Sequence, residues 1–141
     1  MAPHIFLSYS HRDVYRVRRL REGLRLYGLP VWPEGRLTPG TDDWRAGLYD
    51  AVAGAACVVI ALSPDTRLSG WVRWALTLAE EQRLPLLPVV ISGQAGHIML
   101  VELAGTDWFD LRWSWNYERE IEALATLARH YIGVRTIEVS L

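Results

Sequence analysis

Lysine is absent from the 141 residues, and all 15 basic side chains are arginine. That excludes Schiff-base chemistry on lysine, attachment of pyridoxal phosphate and the lysine of a phosphate-binding P-loop. The single cysteine, Cys57, cannot form an internal disulfide, and with only four histidines the spacing of a zinc site cannot be built, so no metal is expected. No apolar run approaches the ~20 residues of a membrane span. The start, Met1-Ala2-Pro3-His4, has neither the cationic nor the apolar region of a signal peptide, so a cytoplasmic chain is expected. Neither sign of charge dominates: 15 basic against 16 acidic residues give a net charge of −1. No basic footprint points to nucleic acid or a membrane surface. A G-x-G pair, needed for a dinucleotide fingerprint, and a G-x-S-x-G nucleophile elbow are also missing.

What is present is the composition of one globular domain, half hydrophobic and 22% charged, with seven tryptophans. His4 to Ser8 reads as a buried strand, followed by a helix that Asp13 can cap, with Val14, Val17, Leu20 and Leu24 at helical spacing. Gly28 ends that helix and Pro30-Val31-Trp32 forms a short second strand. Residues 33–43, with Pro33, Gly35, Pro39 and Gly40, read as a loop. Trp44, Leu48 and Val52 mark a second helix starting near Asp42 or Asp43. Cys57 to Leu62 is the clearest strand, stopped by Ser63-Pro64-Asp65. A third helix over 70–82, a strand over 84–91, an irregular stretch 92–107, a strand over 108–111 and a closing helix over 116–130 complete the chain.

This alternation predicts an α/β domain with a parallel sheet. Right-handed crossovers favour a flavodoxin-like three-layer sandwich, five strands in the order 2-1-3-4-5. The domain is read as 1–133, with 134–141 as a C-terminal tail that could lead to a further domain. Ligands of such sheets sit at the carboxyl ends of the strands, here Ser8 to Asp13, residues 33–43 and Ser63 to Trp71. A phosphate-accepting receiver domain shares the fold class, but from what that family looks like it would need an aspartate at the end of strand three, where Leu62-Ser63-Pro64 stand, and a lysine after strand five. Among the histidines, only His11 lies at a strand's carboxyl end.

Several motifs fall in a familiar order. Ile5-Phe6-Leu7-Ser8-Tyr9-Ser10-His11-Arg12-Asp13 resembles the opening of bacterial TIR domains, a strand leading into S-Y-S-x-x-D. Gly28-Leu29-Pro30-Val31-Trp32, the segment Leu37-Thr38-Pro39-Gly40 and Trp44 are similar to that family's second strand and BB loop. Val58 to Pro64 resembles its third strand and S-P turn, and Ser69-Gly70-Trp71-Val72-Arg73-Trp74 its S-x-W motif. The resemblance spans about residues 4–130. It implies a domain of bacterial antiviral defence or signalling that cleaves the nicotinamide–ribose bond of NAD⁺, with NAD⁺ as substrate and no cofactor. It further implies association with other TIR copies through the BB loop, and a sensor domain or subunit in the same system. By the same resemblance, substrate contacts fall on Tyr9, Ser10, His11, Arg36, Trp44 and Trp71. Ring faces come from Tyr9 and Trp71, donors to pyrophosphate from His11 and Arg36, and backbone amides at the start of the first helix add to these.

The family's catalytic group is a glutamate four residues after the S-x-W tryptophan, and here that position is Ala75. Positions 71 and 75 share one helix face. Nicotinamide leaves NAD⁺ as a neutral molecule, so the group in need of help is the oxocarbenium-like ribose. A carboxylate there stabilises that transition state, and losing such a group costs on the order of 10²–10³ in rate. The chain is therefore expected to be catalytically disabled. Glu80 and Glu81 lie off the face, while Glu34, Asp42 and Asp43 lie on or near the loop. The intact neighbours, Val72 to Trp74 and Leu76 to Ala79, leave two origins open: a natural pseudoenzyme, or a Glu→Ala substitution, which they favour. A non-catalytic scaffold that signals by TIR–TIR association is the alternative function.

Overall fold

In the computed structural model, which describes residues 2–34 and 44–140, five parallel strands form one sheet in the order β2-β1-β3-β4-β5. The strands are β1 (His4–Ser8), β2 (Val31–Trp32), β3 (Ala55–Leu62), β4 (Leu86–Val90) and β5 (Phe109–Asp110). The helices are α1 (Val14–Leu26), α2 (Trp44–Ala53), α3 (Gly70–Glu81), the short α4 (Ala95–Ile98) and α5 (Tyr117–Ser140). The strand order and the parallel pairing agree with the alternation in the sequence.

β1 and β3 are buried along their whole length, as strands covered on both faces must be. Their side chains alternate between two cores. Ile5, Leu7, Cys57, Val59 and Ala61 meet Val17, Leu20 and Leu24 of α1 and Ile121, Leu124 and Ala128 of α5. Phe6, Val58, Ile60 and Leu62 meet Leu48 and Val52 of α2 and Val72, Leu76 and Ala79 of α3. Gly28 has φ +79°, and the bonds Gly28 N–H to the Arg25 carbonyl and Leu29 N–H to the Leu24 carbonyl close α1 with a Schellman motif.

Three expectations need correction. Asp13 precedes α1, but its carboxylate makes no capping bond. It is turned inward, and Ser10 instead caps the 3₁₀ turn His11–Asp13 by accepting from Arg12 N–H at 3.3 Å. The closing helix runs ten residues past 130, to Ser140. Outside contacts sustain it there: Arg135 donates to the Ala53 carbonyl at 3.0 Å. The stretch 92–107 holds α4 and a 3₁₀ turn at Val101–Leu103 rather than irregular chain alone. The start of α2 at Asp42 or Asp43 and most of the loop 33–43 lie outside the described residues.

Cys57 is fully buried in β3, and burial pushes its thiol up to about 12. The thiolate is the reactive form. The native protein is expected to resist iodoacetamide at mildly alkaline pH and to react completely in urea. Equal rates in the two states, followed by mass spectrometry, would mean that β3 opens readily.

Candidate functional site

At the carboxyl ends of β1 and β3 the chain leaves the sheet by two turns, and a small cleft opens beside the end of β1, against α2 and α3. Phe6, Leu7, Ser8, Tyr9, His11, Leu48, Trp71 and Ala75 line it. Its walls are mainly apolar with a few polar groups, the kind of lining usual in small-ligand sites. Ser69 starts α3 by accepting from Val72 N–H at 3.4 Å, which places Trp71 in the first turn and Ala75 one turn further on. The His11 and Trp71 rings meet edge to face, with centroids 5.7 Å apart and planes at 72°. Ala75 is 2% exposed and forms part of the wall beside them.

The structure thus brings Tyr9, His11, Trp71 and Ala75 to one cleft. Tyr9 is partly committed elsewhere: its hydroxyl accepts from Arg21 at 3.2 Å, and its ring packs on the α1/α5 core. Ser10 is buried, with its hydroxyl engaged in the cap. The Arg12 and Asp13 amides both bond to Ser10, so they are spoken for as phosphate donors. Arg36 lies outside the described residues. So does the side chain of Trp44, whose backbone opens α2.

Among the described residues, no aspartate or glutamate lines the cleft. Glu80 and Glu81 are exposed at the far end of α3. Glu34 is exposed beside Arg25, which donates to its carbonyl at 2.5 Å. Asp42 and Asp43 lie outside the described residues. No group of three or more histidine, cysteine, aspartate or glutamate side chains suited to a metal occurs among the described residues.

Two features escaped the sequence reading. Arg21 is only 5% exposed and donates through Nε to the Pro33 carbonyl at 3.0 Å as well as to Tyr9. It ties the β1 tail to the chain just after β2. The available signal was its place on the apolar face of α1, between Val17 and Leu24. The second feature is a buried polar cluster. Ser63 Oγ donates to Asp13 Oδ2, Thr66 Oγ1 accepts from Ser63 N–H at 2.8 Å, and the same hydroxyl donates to the Ala61 carbonyl at 3.2 Å. Asp13 and Ser63 belong to the S-Y-S-x-x-D and S-P motifs respectively, so two separate motifs meet in one bond.

A different surface lies past β5. Arg112 grips Asp110 through two bonds of 2.8 Å and donates to the Gly93 carbonyl at 2.9 Å. Its guanidinium stands 5.7 Å from the Trp108 ring centre and 5.3 Å from that of Trp113. The hydrogen bonds from Arg112 hold the Asp110 carboxyl below its ordinary range. Trp113 and Trp115 remain exposed, Trp115 to 77%.

Solved structures share this architecture. The TIR domain of the Toll-related receptor TRR-2 from Hydra magnipapillata is 15% identical, with a TM-score of 0.72 over 89% of this chain and 97% of that one. The RPS4–RRS1 TIR heterodimer is also 15% identical, with a TM-score of 0.66 over 92% and 97%. A TIR-STING receptor from C. gigas, solved with 2′,3′-cGAMP, is 21% identical, with a TM-score of 0.66 over 86% of this chain and 39% of that one. At these identities the likeness concerns the fold. No curated protein sequence matches the chain. No described helix is long and apolar enough to cross a membrane. The profile of the TIR domain family matches residues 5–127, and with nearly the whole sheet inside that range the chain belongs to the TIR domain family.

Proposed function

We propose that the cleft takes the nicotinamide–ribose end of NAD⁺ and that the domain is an NAD⁺ glycohydrolase disabled at position 75. The observation that carries this reading is the place of Ala75, in the wall beside Trp71 and His11. A side chain extended from that point enters the cleft, where a carboxylate faces the ribose carbon as positive charge develops on it. The indole and imidazole at the mouth offer ring surfaces to a planar base. The bond to nicotinamide breaks with its electron pair leaving on the nicotinamide nitrogen. Water attacking the ribose carbon and losing a proton gives ADP-ribose, whereas attack by a nucleophile within the same molecule, with loss of its proton, gives a cyclised isomer. In this chain the carboxylate is replaced by a methyl group, so NAD⁺ is held without turnover. Nicotinamide release by the parent chain and by Ala75→Glu tests the reading.

Association between copies is the second part of the proposal, and the surface past β5 favours it. Trp108 and Trp113 present aromatic area that Arg112 and Asp110 hold in place, and Trp115 adds an exposed ring two residues on. Aromatic and arginine side chains are the ones enriched at interface centres. β2 and β5 are opposite edges of the sheet. Contact between the segment after β2 in one copy and the surface after β5 in the next is heterologous and repeats head to tail, into a filament or a ring. Such an assembly also serves the alternative, a scaffold that signals without catalysis. Trp115→Ser is expected to leave the urea midpoint nearly unchanged, because the ring is so exposed, and to weaken self-association about tenfold in sedimentation velocity. Unchanged association would remove this surface from the interface.

A further inference from the structure

The mouth of the cleft is built from two segments far apart in sequence. The turn after β1 carries His11, and the turn after β3 leads into α3 with Trp71. The β1–β3 ladder ends at the pair Ser8–Ile60 and so stops short of both. Beyond it, the buried bond from Ser63 Oγ to Asp13 Oδ2 joins the segments, beneath an exposed Arg12–Asp65 pair at 3.8 Å.

Each end of that bond is stiffly attached to one of the rings. Asp13 closes the single 3₁₀ turn that starts at His11, with its N–H bonded to the Ser10 carbonyl at 2.9 Å. Ser63 is clamped by Thr66, which opens the turn Thr66–Leu68, and the next residue, Ser69, caps α3 two positions before Trp71. A shift at either end therefore carries through to the His11–Trp71 contact.

Stability alone does not account for a carboxylate at this place. Asp13 is 1% exposed, and its Oδ1 finds no hydrogen-bond partner among the described residues, with Arg16 at 3.7 Å. Burial pushes its carboxyl above the ordinary value of 3.8; Asp65 adds to this, while the Ser63 bond and Arg16 oppose it. A carboxyl raised in the folded state lends its stability below its unfolded value and loses it as pH rises through the folded one. At neutral pH the Asp13 charge is thus a cost to the fold.

We propose that Asp13 and Ser63 are positioning residues, whose buried bond sets the His11 turn against Trp71 and holds the cleft in shape for its substrate. The part concerning substrate rests on the NAD⁺ reading above; the part concerning the rings does not. The ring-current shift of the His11 protons in NMR spectra reads the ring contact directly, and NAD⁺ titration reads the cleft. Asp13→Asn keeps an acceptor for Ser63 without the charge, and is expected to keep the shift and the affinity of the parent. Asp13→Asn combined with Ser63→Ala removes the bond while burying no unpaired charge. This double variant is expected to stay folded, to lose most of the His11 shift and to bind NAD⁺ about 10–100-fold more weakly. An unchanged shift in the double variant, or loss of its fold, overturns the proposal. If the shift collapses while NAD⁺ binds neither parent nor variant, the NAD⁺ reading fails and the positioning role stands.

Discussion

Ala75→Glu is expected to raise nicotinamide release from NAD⁺ by on the order of 10²–10³ over the parent chain. The reason lies in where the substitution places charge. Position 75 sits one turn into α3, in the wall of a cleft whose described lining holds no carboxylate. On the proposed reading the existing lining offers ring surfaces to the substrate, but binding ground state and transition state equally well does not raise the rate of the chemical step. A carboxylate interacts with the ribose more strongly once it becomes oxocarbenium-like, so its effect falls on kcat rather than on KM. The apolar walls increase the effect, because charge interactions strengthen where water is excluded. They also resist ionisation of the new side chain, so activity is expected to rise with pH through an elevated carboxyl pKa. A purely lower KM in the variant, with kcat unchanged, would contradict this account.

The second large effect concerns Arg21. Arg21→Ala is expected to destabilise the domain by about 2–4 kcal/mol, read as a lower urea midpoint at unchanged slope. The guanidinium is buried and makes charge-assisted bonds to the Pro33 carbonyl and the Tyr9 hydroxyl. Removing it leaves both acceptors buried without that donor, and opens space under the β1 tail. Arg21→Met separates the two contributions. It restores the apolar stem of the side chain but none of the donors, and is expected to recover less than half of the loss. A loss below about 0.5 kcal/mol for Arg21→Ala would show that water replaces these bonds freely.

The strands and most helices were legible because burial imposes simple periods on the sequence. β3 reads as an unbroken apolar run because both of its faces are covered, and α1 shows Val17, Leu20 and Leu24 at one side because only that side is. Gly28 marked its helix end because a left-handed residue is needed there. The carboxyl-end rule for parallel sheets pointed to Ser8–Asp13 and Ser63–Trp71, and Tyr9, His11 and Trp71 of those segments line one cleft. Ala75, which lines it too, was singled out only by the resemblance to TIR domains. Roles that depend on side-chain partners were less legible. An aspartate before a helix ordinarily caps it, but the Ser63 hydroxyl, 50 residues away, competes for Asp13. Nothing local in the sequence announces that competition. The partners of Arg21, a carbonyl after β2 and a phenol after β1, are both twelve residues away, so the bonds themselves leave no local signal in α1. The end of α5 was placed too early because its last turns leave Val134 and Ile137 exposed and so break the apolar face.

The most direct test compares Ala75→Glu with Ala75→Gln and the parent, following nicotinamide release from NAD⁺ at high protein concentration with a crowding agent to promote assembly. Glutamine fills the same volume without the carboxylate. Release by the glutamate variant alone is the result this account expects. Release by the parent or by the glutamine variant at the same rate would contradict it, because no carboxylate at position 75 would then be needed. Release by none of the three while all self-associate would also contradict it and leave the scaffold as the function of the domain.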